Sequence, residues 1–255
     1  MEQFSFEPEK VTKTTHAIPT EKAKAELSLV KVYLWFALGL LITGAVSLAL
    51  PYIMAAFVND QNAELIADVY IGMMVASIIL LLPAMIIIHI QSFRKNTPLI
   101  LTSYIIYAIA MGVLLSVIFL DFLSSASGIQ TLCIAFFVTG GVFLLCGLFG
   151  ALTKKHDLKL VYPIVMSVIL GVLVISLVNI FIGSSVVYWV TDFVLFGVII
   201  IVAMLDNHQI HKFADSGCFE NATNLAIYCA FTIYSDFIWI FIRLVYYISL
   251  FKGKN

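Results

Sequence analysis

MLDNHQIHKFADSGCFENATNLAIYCAFTIYSDFIWIFIRLVYYISL, residues 204–250, is the stretch on which the fold turns. It reads as the end of one apolar helix, a polar turn and a second apolar helix. Asp206 closes the first helix and Asp236 lies inside the second. Folded as an antiparallel hairpin about Asn221, the two aspartates are each fifteen residues from the turn centre. Residues equidistant from a turn face one another at one height, so this spacing predicts that the two carboxyl groups can meet.

The remaining sequence supplies the solvent in which they meet. Of 255 residues, 62% are hydrophobic and 11% charged, and the mean hydropathy is +1.06. Soluble domains are nearer 45–50% apolar and about 25% charged. The excess predicts an all-α integral membrane protein with lipid as its solvent. Seven apolar runs, roughly 32–58, 66–90, 98–120, 129–152, 160–183, 185–205 and 223–250, each approach or exceed the ~20 residues that cross a bilayer as helix. Backbone groups in lipid must bond within their own segment, which favours helices, and the alternation of a barrel strand is missing. The expected organisation is a polar tail over residues 1–30 and a seven-helix domain over 31–251. That tail mixes Glu and Lys without an apolar run and does not read as a signal peptide.

Charge sets the expected orientation. Lys10, Lys13, Lys22, Lys24 and Lys31 precede the first span; Arg94 and Lys95, then Lys154, Lys155 and Lys159, then Lys212 occupy alternate connections. Eleven of the fourteen basic residues thus fall on one side. The opposite connections carry Asp60, Glu64, Asp68 and Asp121. The positive-inside rule predicts a cytoplasmic N-terminus. These faces are called the basic and the acidic side below. Short connections leave no room for an extramembrane catalytic domain.

Ionisable residues inside a membrane are costly and are usually paired. Asp236, flanked by Ile233, Tyr234, Phe237 and Ile238, must pair or neutralise. Meeting Asp206, it would share a proton with it, and the pair would titrate as a unit. Lower pH would then hold the sixth and seventh spans together, and higher pH would let them part. Arg94, on the same side, offers an ionised aspartate an alternative partner. Toward the acidic side, Asp192 and Arg243 are candidates for a pore lining or an outer mouth. They are expected two helical turns apart, with Arg243 snorkelling outward. His208 and His211 lack an obvious third ligand for a metal. No GxSxG, HExxH, P-loop or GxGxxG motif occurs, no histidine suited to buried catalysis is evident, and CxxC pairs are absent. The chain therefore reads as no enzyme, without cofactor and without affinity for nucleic acid.

Four stretches resemble the Bax inhibitor-1 family of membrane proteins (TMBIM, YccA-like). They are TKKHDLKLVYPIVMSVILGVLVISLVNIF (153–181), LDNHQI (205–210), IYSDFIWIF (233–241) and RKNTPLILTSYIIYAIAMG (94–112). The resemblance implies seven helices with the last one central, and a pH-responsive pair at Asp206 and Asp236 that exchanges partners with Arg94. It also implies a passive calcium leak governed by protons, in a bacterial plasma membrane. Trp239 and Arg243 stand where the family often has Asn. The alternative is a non-transporting interaction protein, acting on a membrane protease or in a stress or cell-death pathway, with the tail as its handle.

Overall fold

A computed structural model describes residues 25–252, apart from 60, 93–95, 124, 125, 154–157, 159, 160, 216, 217 and 220. Arg94 and Asp60 therefore lie outside the described residues. Seven helices make up almost all of it: α1 (Leu29–Phe57), α2 (Ala63–Gln91), α3 (Thr97–Leu123), α4 (Ala126–Leu152), α5 (Val161–Ile182), α6 (Ser185–Asp215) and α7 (Ala222–Lys252). All seven are long and apolar enough to cross a membrane.

Two departures from the expected boundaries bear on function. The helix carrying Asp206 does not close there; α6 runs on to Asp215. The polar run Asn207–Lys212 resembles a turn in composition. Asn207, His208 and Ile210 are nevertheless buried by packing, and the Asn207 amide donates back to the Ala203 carbonyl at 2.8 Å. Polarity marked a change of surroundings, and the backbone kept its helical ladder. Before α1, the strand β1 (Ala25–Glu26) pairs antiparallel with β2 (Cys218–Phe219), matching Ala25 to Phe219 and Glu26 to Cys218. The end of the tail is thereby hydrogen-bonded to the α6–α7 connection.

The bundle has two flanks and an axis. α1 and α2 both pack on α3, α4 and α5 both pack on α6, and α7 lies between, touching α1, α3, α4 and α6. In its most apolar window α7 is 72% buried, whereas α5 is 11% buried. The sequence explains which helix goes inside. α5 is Val, Leu and Ile almost all round and is at ease in lipid. α7 carries Tyr234, Asp236, Arg243 and Tyr247, whose polar atoms need partners that lipid cannot offer. Tyr234 finds one in the Thr43 hydroxyl, 2.6 Å away, and Thr43 in turn donates to the Ala108 carbonyl at 2.9 Å. This chain of bonds ties α7, α1 and α3 together. The α5–α6 connection is only Gly183 and Ser184, closed by paired bonds of 3.1 Å between the Asn179 side chain and the Ser184 backbone. Gly183 has φ +67° there, a left-handed conformation that glycine adopts without steric cost.

Candidate functional site

The α6–α7 hairpin holds two interior polar contacts, one toward each side of the bundle. Toward the basic side, the carboxyl groups of Asp206 and Asp236 are within hydrogen-bonding reach of each other. Asp236 is buried, 8% exposed, and its Oδ2 has no hydrogen-bond partner in the protein. An ionised carboxylate so placed would lack the donors that make burial of a charge tolerable. Among the described residues, Cys229 and Tyr228 on α7 and Tyr162 on α5 lie close to Asp206, and Cys146 on α4 lies close to Asp236. None of these supplies a fixed positive charge.

The rotation of α6 that aims Asp206 at α7 is set by α4. A β carbon on Gly150 would lie 2.8 Å from the His208 backbone nitrogen and 3.0 Å from Asn207, so only glycine permits this approach. Asn207 and His208 are thereby buried, and Asp206 is turned about 100° from Asn207 by the helical repeat. On the next face Gln209 accepts a bond from the Tyr162 hydroxyl of α5 at 3.3 Å. Asp206, Gln209, Tyr228, Cys229 and Thr232 line a recess of about 20 Å³, enough for one water molecule. Phe237, next after Asp236, packs edge-on to Phe36, Phe136 and Phe143 at 5.7–5.8 Å. These rings close the apolar packing beside the carboxyls.

The second contact corrects the expected levels. Asp192 and Arg243, levelled two turns apart by the hairpin, nevertheless meet: their side chains form an ion pair, Arg243 Nη1 to Asp192 Oδ1. The guanidinium reaches toward the acidic side along its own stem, as snorkelling predicts, and meets the carboxylate on the way. Tyr247, one turn further along α7, donates to Asp192 Oδ2 at 2.6 Å. Tyr247 escaped sequence reading, although its position four residues after Arg243 puts both on one helix face. Arg243 borders two cavities. The larger, about 630 Å³, is also lined by Ser176, Asn179, Tyr188, Thr191 and Asp192. The smaller, about 380 Å³, is also lined by Asp121, Tyr188, Trp239 and Tyr246. Glu64 and Asp68, also expected at this mouth, are exposed on the first turns of α2.

His208 needs a correction of its own. It is buried, 3% exposed, with an unpartnered Nδ1, where the sequence offered no evident buried histidine. Among the described residues no three His, Cys, Asp or Glu side chains group as metal ligands.

The family model described as Inhibitor of apoptosis-promoting Bax1 matches residues 26–253. The chain belongs to this family. A membrane protein of Streptococcus pyogenes is 30% identical over 154 residues, 60% of this chain and 64% of that one. The match thus spans somewhat under two thirds of that streptococcal relative. The inner membrane protein YbhL of Escherichia coli is 26% identical over 240 residues, covering 90% of this chain and 94% of YbhL. A Deinococcus radiodurans protein is 28% identical over 220 residues, covering 85% and 87%. As a Bax inhibitor-like protein, the chain is a multi-pass membrane protein, and its seven helices are the spans.

Proposed function

We propose that this protein is a pH-sensitive calcium leak of the inner membrane, in which Asp206 and Asp236 form the proton-operated closure. The contact between these two carboxyls carries the reading. Two carboxyl groups that meet are held together by sharing a proton. With that proton, one carboxyl donates to the other and α6 is held to α7. Without it, two like charges face each other in a low-dielectric interior and repel. The direction follows: the closed arrangement holds one more proton than the parted one, so lower pH favours closure and higher pH favours opening. Arg94 supplies the partner for an ionised aspartate in the open state. The N-terminus is cytoplasmic and the basic side faces inward, in the inner membrane that the E. coli relative's name records.

The experiment is flux into liposomes loaded with a calcium dye, across a pH series. Calcium entry is expected to rise with pH in the wild type, and Asp236→Asn is expected to remove that dependence. Absence of flux at every pH, or a pH profile unmoved by Asp236→Asn, refutes the reading.

A further inference from the structure

The cavity of about 380 Å³ that Arg243 lines together with Asp121 lies at the acidic end of the bundle. α3 and α6 both pack on α7, and among the described residues they hardly touch each other. The gap between them uncovers α7, the most buried helix, so that Trp239 and Tyr246 are 49% and 37% exposed there. Asp121 stands two residues before the end of α3 and Tyr188 on the first turn of α6, which puts the cavity at the level where lipid headgroups and aromatic belts lie. The Phe119 ring of α3 is 6.4 Å from the Phe241 ring of α7. These two helices run in one direction, so the residues two further on, Asp121 and Arg243, share one level. The wall therefore offers an anion and a cation side by side, framed by Phe122, Tyr188, Trp239 and Tyr246.

We propose that this cavity binds the headgroup of a phosphatidylethanolamine molecule from the acidic-side leaflet, with its ammonium on Asp121 and its phosphate on Arg243. The site stands independently of the leak reading. A phosphoethanolamine headgroup carries one anion and one cation two carbons apart, which answers the wall charge for charge. A guanidinium has five N–H donors, so Arg243 can bond Asp192 through Nη1 and a phosphate through others. Asp121 accepts a charge-assisted bond from the ammonium, and aromatic rings favour a cation that lies over their faces. The volume falls within the range of small-ligand pockets. Its opening lies between two membrane-spanning helices, so what reaches it comes from the bilayer. Phosphatidylglycerol brings the same phosphate without the ammonium, and Asp121 repels its net negative charge.

Full-length wild type, Asp121→Asn, Trp239→Leu, Arg243→Gln and, as a control, Asp68→Asn are incubated in detergent with an equimolar mixture of phosphatidylethanolamine and phosphatidylglycerol of identical chains. Gel filtration confirms that each is folded, and native mass spectrometry counts the lipids retained. Wild type is expected to retain phosphatidylethanolamine over phosphatidylglycerol by about tenfold, the worth of one hydrogen bond to a charged group. Asp121→Asn is expected to bring that ratio close to one, and Trp239→Leu to lower it by about two- to fivefold. Arg243→Gln is expected to lower retention of both lipids together, because the phosphate is common to them. Asp68→Asn removes an exposed acid on the same side and is expected to leave the ratio as it is. Equal retention in the wild type, a ratio unmoved by Asp121→Asn or by Trp239→Leu, retention unmoved by Arg243→Gln, or the same change of ratio from Asp68→Asn overturns the proposal. If Arg243→Gln is not folded, the Asp121→Asn and Trp239→Leu arms decide alone.

Discussion

The two ends of the α6–α7 hairpin solve one problem in opposite ways. Each has to place an acid from α6 against a polar group of α7 inside a bilayer. On the acidic side, Asp192 meets Arg243 and Tyr247, so its two oxygens face a cation and a hydroxyl. That contact joins opposite charges and needs no shared proton. On the basic side, Asp206 meets another acid, and Asp236 keeps one oxygen without a partner. In the function proposed above, that contact depends on a proton. The compensated pair is a brace and, in the proposed function, the pair of acids is a switch; one hairpin would then hold both, with parting at one end guided by attachment at the other.

This contrast is breakable, most strongly at the brace. Asp192→Ala leaves a largely buried guanidinium without its anion and should cost about 3 kcal/mol, the lower end for a broken buried pair, because Arg243 is a quarter exposed. Thermal unfolding in detergent measures it, and Asp192→Leu with Arg243→Met should recover most of the loss, since neither charge is then left alone. Tyr247→Phe removes one bond to a charged acceptor and should cost about 2 kcal/mol in the same assay.

The switch should respond to pH where the brace does not. Wild-type stability is expected to fall as pH rises through the titration of the Asp206–Asp236 pair, by at most about 1.4 kcal/mol per pH unit for one shared proton. Below that window the contact is fully present. Asp236→Asn should flatten the slope, and a slope that survives it would show that the proton is held elsewhere. The smallest effect is a calibration. Thr43→Val removes the uncharged partner of Tyr234 and should cost about 1 kcal/mol, with the same value at every pH.

How legible this was depends on the range of the interaction concerned. The seven spans follow from composition alone, because crossing a bilayer requires a long apolar helix whatever its neighbours. The meeting of Asp206 and Asp236 follows from hairpin arithmetic, since α6 and α7 are consecutive and antiparallel. The same arithmetic failed for Asp192 and Arg243: it levels backbones, and an arginine side chain spans more than a helical turn. The end of α6 was misplaced as well: composition put a polar turn after Asp206, and Asn207 and His208 are instead helical and packed beneath Gly150 of α4.

The sequence by itself thus determined that the chain lives in lipid, how often it crosses, and that an acid inside the last span needs a partner. Only the tertiary structure decided which partner each charge received. Burial of α7 among α1, α3, α4 and α6 removes most of its side chains from lipid and water alike, and each buried polar group must then take whatever the neighbouring helices bring within reach.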